Sequence, residues 1–453
     1  MNVSSKFSRA PASAWQYLPQ YAQEQLPRYT SYPPANRFGP AVGAREAVEG
    51  LRSLPEDATL SLYLHIPFCK KLCWYCGCHT SVPTRADPVD SYLAALKSEI
   101  ARIGRQTPAR ARVTHLHFGG GSPDILTPDQ IAELFDQLRS SFRFSAFPEI
   151  AAELDPRGAS LAVVQAYANG GLTRASLGVQ VLDRSVQERI NRVQSTEEIE
   201  AAIDRLRVAG VNALNIDMMY GLPGQSIGHV IETALFAASQ DADRIAVFGY
   251  AHVPWFKKHQ KSIATDDLPS GEARFRQAEA ASQTLEQAGY LPIGFDHFAA
   301  PGDGLAAAER NGRLRRNFQG YTDDPATALI GFGASAISSL PGLIYQNTPD
   351  TAAYRQTLAE GGVPVVRGVA LTSEDERIGR LIERILCQFE ADVPGDLLIA
   401  ACPRLTPMVH AGLAQVSNTH LTVTARGRPY VRNIASCFDP DFNRAQARHS
   451  LAV

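Results

Sequence analysis

The sequence predicts an α/β fold, a parallel sheet curved into a partial (β/α) barrel, in a chain of 453 residues. Three observations predict it. Short runs rich in β-branched and aromatic residues alternate six times with longer stretches of helical periodicity. A loop carrying four cysteines follows the first run directly. Past about Val365 the alternation stops and the pattern turns helical.

The runs are Leu60–Ile66, Val113–Phe118, Glu149–Leu154, Arg174–Val179, Ala213–Met219 and Arg244–Tyr250. After the first, Asp87 followed by Pro88 reads as an N-cap with proline at the first helical position. Tyr92, Leu93, Leu96 and Ile100 then recur on one helical face. After the fourth, Ser195 and Glu198 have capping-box spacing ahead of Ile199, Ile203 and Leu206. Strands joined through helices lie parallel with right-handed crossovers. They can form an open doubly wound sheet or a barrel, and six units fall short of the eight of a complete barrel. In either arrangement chemistry gathers at the carboxyl ends of the strands, where the cysteine loop sits.

Three segments follow from this pattern: an N-terminal arm over 1–50, the sheet domain over 51–365 and a small, mostly helical domain over 366–453. In the last, "LTSEDERIGRLIERILCQFE" offers Thr372 or Ser373 as a cap and places Ile378, Leu381, Ile382, Ile385 and Leu386 on one stripe. "GLAQVSNTHLTVTARGRPYV" reads as a hairpin or wing. The first residues carry Lys6 and Arg9 with no acid before Glu24, as transit peptides do, but without an apolar face a solvated arm is the preferred reading. With 45% apolar and 20% charged residues the chain has an ordinary globular composition. A net charge of −2, a pI near 6.6 and no dense basic cluster argue against a nucleic-acid partner, wing included. No run of about eighteen apolar residues predicts a membrane span. A cytoplasmic location suits the exposed thiols.

Cys69, Cys73, Cys76 and Cys78 stand at C-x3-C-x2-C-x-C, whereas Cys387, Cys402 and Cys437 are scattered. Disulfide frameworks suit small secreted domains. Zinc sites usually return as a second pair further along, and none follows here. An iron–sulfur cluster takes several thiolates from one loop, so the spacing favours it over zinc. Gly119, Gly120 and Gly121 follow the second run and let backbone approach a ligand, a tight turn being the plainer alternative. Glu153 and Asp217 close the third and fifth runs, and Gln180 and Arg192 lie at and beyond the fourth. Acids in such places are ligand groups or solvated caps. "GFGASA" at 331–336 matches G-x-G-x-x-A, but it comes after the strand repeats without an acidic partner, so no nicotinamide site is expected.

In order along nearly the whole chain, "RYTSYP", "HIPFCKKLCWYCGC", "HFGGGSP", "ELDPR", "LGVQ" with "INRVQ", "NIDMMYGLPGQ", "GYAHVP", "FDHFA", "RRNFQGYT", "GFGASAIS" and "RNIASCFD" appear. This set resembles the oxygen-independent coproporphyrinogen III oxidases of the radical S-adenosylmethionine (SAM) superfamily. The resemblance implies a radical SAM partial barrel and a 4Fe-4S cluster held by Cys69, Cys73 and Cys76. Its fourth iron stays open to chelate SAM, as a reactive metal site requires. Trp74 and Tyr75 shield the cluster, and Tyr75 is also carried over as a cofactor contact. Gly120, Gly121 and Ser122, serine where the family has threonine, take the methionine moiety. Glu153 and Asp217 suit ribose hydroxyls and Arg192 a carboxylate. Gln180, Tyr63, Ala251 and Ile337 complete the contacts to two bound SAM molecules. Cys78, outside the ligand set, and Tyr63 are the implied catalytic groups.

The implied reaction converts two propionates of coproporphyrinogen III into the vinyl groups of protoporphyrinogen IX. A donor such as flavodoxin or ferredoxin supplies electrons, an unidentified acceptor removes them, and the protein is expected to be a monomer. The related haem-binding chaperones are the alternative; they commonly lack a counterpart of Cys78 and of "RYTSYP", both present here. Four substrate carboxylates call for cations, and Arg28, Arg174 and Arg316 are the candidates.

Overall fold

The computed structural model describes residues 15–442, so Lys6 and Arg9 lie outside the described residues. Six strands form over the expected runs: β1 (Thr59–Ile66), β2 (Arg112–Gly120), β3 (Arg143–Leu154), β4 (Arg174–Gln180), β5 (Ala213–Tyr220) and β6 (Arg244–Gly249). Each pairs parallel with the next. The sheet extends past both ends of that set. Beyond β6 come the short antiparallel strands β7 (Leu291–Ile293) and β8 (His297–Ala299), with β8 next to β6. A separate hairpin, β9 (Arg315–Asn317) and β10 (Gly320–Thr322), precedes β11 (Ala328–Phe332), which pairs parallel with β1. From β11 the sheet continues antiparallel through β12 (Ile337–Leu340), β13 (Leu343–Asn347) and β14 (Val365–Ala370).

The order is therefore β14-β13-β12-β11-β1-β2-β3-β4-β5-β6-β8-β7. The parallel part does not close on itself, because β6 pairs onward with β8 and β11 with β12. This is the expected partial barrel. "GFGASA" is the β11–β12 turn; no helix follows it, so it lacks the helix N-terminus a dinucleotide phosphate needs.

The predicted apolar faces are buried. Tyr92, Leu93, Leu96 and Ile100 line the inner side of the helix Asp87–Gly104. That helix begins at Asp87 itself, and Ala86 occupies the cap position without a side-chain bond. Asp87 is thus a first-turn acid favoured by the helix dipole rather than a cap. The Ser195–Glu198 capping box forms as expected, and Ile199, Ile203 and Leu206 are buried. Thr372 caps the helix Ser373–Gln388, whose predicted stripe is buried throughout. Ala414–Ser417 and His420–Val423 make the expected hairpin, joined by a third strand, Glu390–Asp392.

The arm does not stand apart from the C-terminal segment. Tyr21, Leu26, Tyr29 and Tyr32 share one apolar core with Ile378, Ile385, Tyr430 and Ile434. The Tyr29 hydroxyl also donates to Asp439 at 3.1 Å. The boundary at 50 falls within the helix Ala44–Arg52, whose Ala47 and Leu51 belong to the core of the sheet domain. The boundary at 365 falls at the start of β14, an edge of the same sheet. A change in sequence pattern marks where repeats stop, not which core a segment joins. Among the described residues no helix is long and apolar enough to cross a membrane.

Candidate active site

The carboxyl ends of β2 to β6 meet the cysteine loop around a cavity of about 520 Å³. Glycine is required where β2 enters it. A Cβ at Gly119 would lie 2.9 Å from the Glu153 carboxylate, and one at Gly121 would lie 2.5 Å from the Phe68 carbonyl oxygen. Gly120 has φ +107°, a conformation open mainly to glycine. With no side chains in the way, the Gly121 amide donates to Ile66 O at 2.8 Å and the Ser122 amide to Phe68 O at 2.8 Å. The glycine loop is thereby pinned to the start of the cysteine loop.

Residues 69–80 contain no helix or strand, and distant elements hold them. Cys69 N donates to Ser81 O at 2.9 Å, and Trp74 N to Ile190 O at 2.9 Å. Asn191 Nδ2 donates to Leu72 O at 2.8 Å. From the segment after β6, Lys257 Nζ donates to Cys78 O at 2.9 Å, His259 Nε2 to Cys76 O at 2.8 Å and Gln260 Nε2 to Tyr75 O at 3.0 Å. With those carbonyls engaged, the loop is held while its four sulfurs line the cavity. The Cys78 thiol and amide, with Lys257 and Arg192, outweigh burial and draw the Cys76 thiol down to about 7. Burial pushes Cys69 up to about 11.

Behind Cys73 lies a charged network. Asp155 Oδ2 accepts from Arg157 Nη2 at 2.6 Å and from Arg192 Nη1 at 3.0 Å. Burial alone would raise the Asp155 pKa, but Arg192 and then Arg157 bring it down to about 2. Arg192 Nη1 also lies 3.5 Å from Cys73 Sγ, while its buried Nε has no hydrogen-bond partner.

Across the cavity, Glu153 accepts from His117 Nε2 at 3.0 Å and from the Gly120 amide at 3.3 Å. Burial opposes its ionisation, but His117 and that amide win and hold the carboxyl below its usual range. Asp217 accepts from Ser176 Oγ at 3.1 Å and Asn215 Nδ2 at 2.8 Å. Burial and then the Glu153 charge nevertheless raise it to about 6. Near neutrality both acids are therefore ionised, and they differ in charge only as pH falls toward and below about 6.

Cys69, Cys73, Cys76, Cys78, Tyr75, Gly120, Gly121, Ser122, Glu153, Gln180, Arg192, Asp217 and Ala251 all line this cavity. The Ser122 hydroxyl turns away to Asp124, so its side chain is engaged elsewhere. Tyr63 and Ile337 are not in the lining. Tyr63 sits behind Glu153, stacked on His117, and donates to His65 Nδ1 at 3.0 Å. Ile337 opens β12, on the far side of β11 from β1. Arg174 is not at the site either, because it starts β4 at the opposite end and pairs with Glu149 and Asp303. His117, Asp155, Arg157 and Lys257 were not singled out from the sequence, although "ELDPR" contains two of them.

The residues fit a cluster with SAM beside it. Four cysteines line one cavity together with Arg192, whose buried Nε has no hydrogen-bond partner, three carboxylates and a glycine backbone. Among the described residues no three His, Cys, Asp or Glu side chains converge to hold a single metal ion. A polynuclear cluster takes thiolates on separate irons and does not need such convergence.

Residues 63–237 match the Radical SAM superfamily. The chain is 43% identical over 443 residues to the oxygen-independent coproporphyrinogen III oxidase of Bradyrhizobium diazoefficiens, covering 96% of this chain and 98% of that one. It is 39% identical to the enzyme of the same name from Escherichia coli K12, covering 93% and 94%. The solved coproporphyrinogen III oxidase of Escherichia coli, described as a radical SAM enzyme, superposes with a TM-score of 0.88 over 92% of this chain and 98% of that one, at 38% identity. Fold, cavity and full-length similarity agree, and the chain belongs to the oxygen-independent coproporphyrinogen III oxidases of the Radical SAM superfamily.

Proposed function

We propose that the protein oxidatively decarboxylates two propionates of coproporphyrinogen III to the vinyl groups of protoporphyrinogen IX, without oxygen, in haem biosynthesis. The convergence of three loop cysteines, the glycine backbone, Glu153, Asp217 and Arg192 on one cavity carries this reading. Cys69, Cys73 and Cys76 would hold the 4Fe-4S cluster, with SAM against Gly120, Gly121, Tyr75, Gln180 and Ala251. When bound, these groups would supply the 5′-deoxyadenosyl radical chemistry needed at the propionate β-carbon.

The chain's own residues bind and orient. Arg192, whose buried Nε has no hydrogen-bond partner, would meet the SAM carboxylate, and the ionised Glu153 would accept ribose or amino hydrogens. Met219 and Phe248 give the cavity an apolar wall that excludes water from a reactive species. Cys78, outside the three-ligand set, would serve as the catalytic thiol, its amide donating to the Cys76 sulfur at 3.4 Å. A second SAM would sit beyond the lining, toward Tyr63 and Ile337. An electron donor such as flavodoxin or ferredoxin, a separate final acceptor, a monomeric state and a cytoplasmic location complete the proposal.

Asp217 gives the cofactor site a pH dependence. With its carboxyl raised to about 6, the acceptor is ionised above that pH and protonated below it. SAM affinity, followed by calorimetry, is expected to fall as pH drops through about 6. Asp217→Asn should remove that inflection, and an unchanged curve would take Asp217 out of the site. For the reaction itself, anaerobic incubation with coproporphyrinogen III, SAM and a reductant should yield protoporphyrinogen IX. Tight haem binding without vinyl product would favour a chaperone.

A further inference from the structure

A second group of charges lies where the arm, the β9–β10 hairpin and the C-terminal segment meet the barrel. Its centre is Asp296, between β7 and β8. Asp296 Oδ1 accepts from His297 Nδ1 at 2.7 Å and lies 3.9 Å from Arg316 Nη1, while Oδ2 lies 3.4 Å from Arg28 Nη2. Arg316 is sandwiched by aromatic rings, its Cζ 4.7 Å from the Phe295 centroid and 4.6 Å from that of Tyr321. Arg432 shares Phe295, at 5.4 Å. Arg28 and Arg316 therefore share one carboxylate. The next acid, Glu383, is engaged by the Arg316 backbone amide at 3.0 Å, and Asp324 pairs with His115 at 2.9 Å.

The pairing is unequal, and its Arg316 side is buried. The Arg316 side chain is only 3% exposed, yet its Nε and Nη1 have no hydrogen-bond partner. A buried cation with unfilled donors is costly unless an anion completes it. Burial, with the Arg28 and Arg316 charges, draws the Arg432 pKa down to about 10, so the three groups are in electrostatic reach of one another. Arg28 lines the cysteine cavity and lies over Phe248 at 5.5 Å. Arg316 faces a second cavity of about 320 Å³ with Tyr29, Asn317 and Phe318. The cluster forms a wall beside the reaction cavity, not part of the cysteine loop.

Resting on the proposed function, we infer that Arg28 and Arg316 anchor a propionate of the macrocycle that is not the one being lost. A guanidinium on the reacting carboxylate would stabilise its charge and oppose its departure as neutral carbon dioxide. An anchor on a retained propionate has no such conflict. Phe248, which lines the cysteine cavity, supplies apolar surface for a pyrrole beside it.

The test is binding of two stable porphyrins to the cluster-loaded, full-length protein, read by quenching of porphyrin fluorescence. Coproporphyrin III carries all four propionates and protoporphyrin IX only the two retained ones. Arg316→Gln and Arg28→Gln should each weaken both porphyrins by about tenfold or more. Arg28 is 43% exposed, so its variant tests the anchor even where Arg316→Gln fails to fold. Weakening of coproporphyrin III alone, or of neither, would overturn the inference. Failure of the unsubstituted protein to bind either porphyrin would instead defeat the proposed function, and the anchor with it.

Discussion

Replacing any one of Cys69, Cys73 or Cys76 by alanine should abolish the brown visible absorbance of the anaerobically reconstituted protein, together with all turnover. The three thiols open onto one cavity, and no other cysteine can substitute for them. Cys387 and Cys437 are buried in other cores, and Cys402 is exposed on the helix Gly395–His410. Cys78 shares that cavity, but it stands outside the three-ligand set and its amide donates to the Cys76 sulfur at 3.4 Å. Cys78→Ser should therefore keep its iron while losing activity. Iron content equal to the unsubstituted protein in all three alanine variants would remove the cluster assignment.

Asp155→Ala is expected to destabilise the protein by about 3 kcal/mol, measured by chemical denaturation, because it strands two buried cations. Both Asp155 oxygens are used. Oδ1 accepts from the Arg157 amide at 3.0 Å and Arg157 Nε at 2.9 Å, and Oδ2 takes Arg157 Nη2 and Arg192 Nη1. Arg192 is only 7% exposed, so water cannot readily replace the lost acceptor. Freed from Asp155, Arg192 should also lose its aim into the cavity, and SAM affinity should fall with stability. A loss below about 1 kcal/mol would show that the two guanidiniums are satisfied without it.

How far the sequence announced this arrangement depended on whether the partners of a residue are local. β1 to β6 were legible because each is a compact apolar run followed by a helical period. β11 was not: "ALIGF" is short, no helix follows it, and its partner β1 lies 268 residues earlier at the Leu60–Ala328 pair. The cysteine and glycine loops were readable because their functional groups are contiguous. Their supports were hidden, since Lys257 reaches Cys78 across 179 residues and His117 meets Glu153 across two strands. Tyr63 and Ile337, carried over by resemblance alone, are the expected contacts outside the cavity lining. Of the three candidate arginines, only the fold could separate Arg174, bound at the far end of the barrel, from Arg28 and Arg316.

Coproporphyrinogen III deuterated at the propionate β-carbons, turned over anaerobically with SAM, decides whether the chemistry is that of a deoxyadenosyl radical. Deuterium should appear in 5′-deoxyadenosine, with one SAM consumed for each propionate lost. Vinyl groups forming while 5′-deoxyadenosine stays free of deuterium would contradict the radical mechanism.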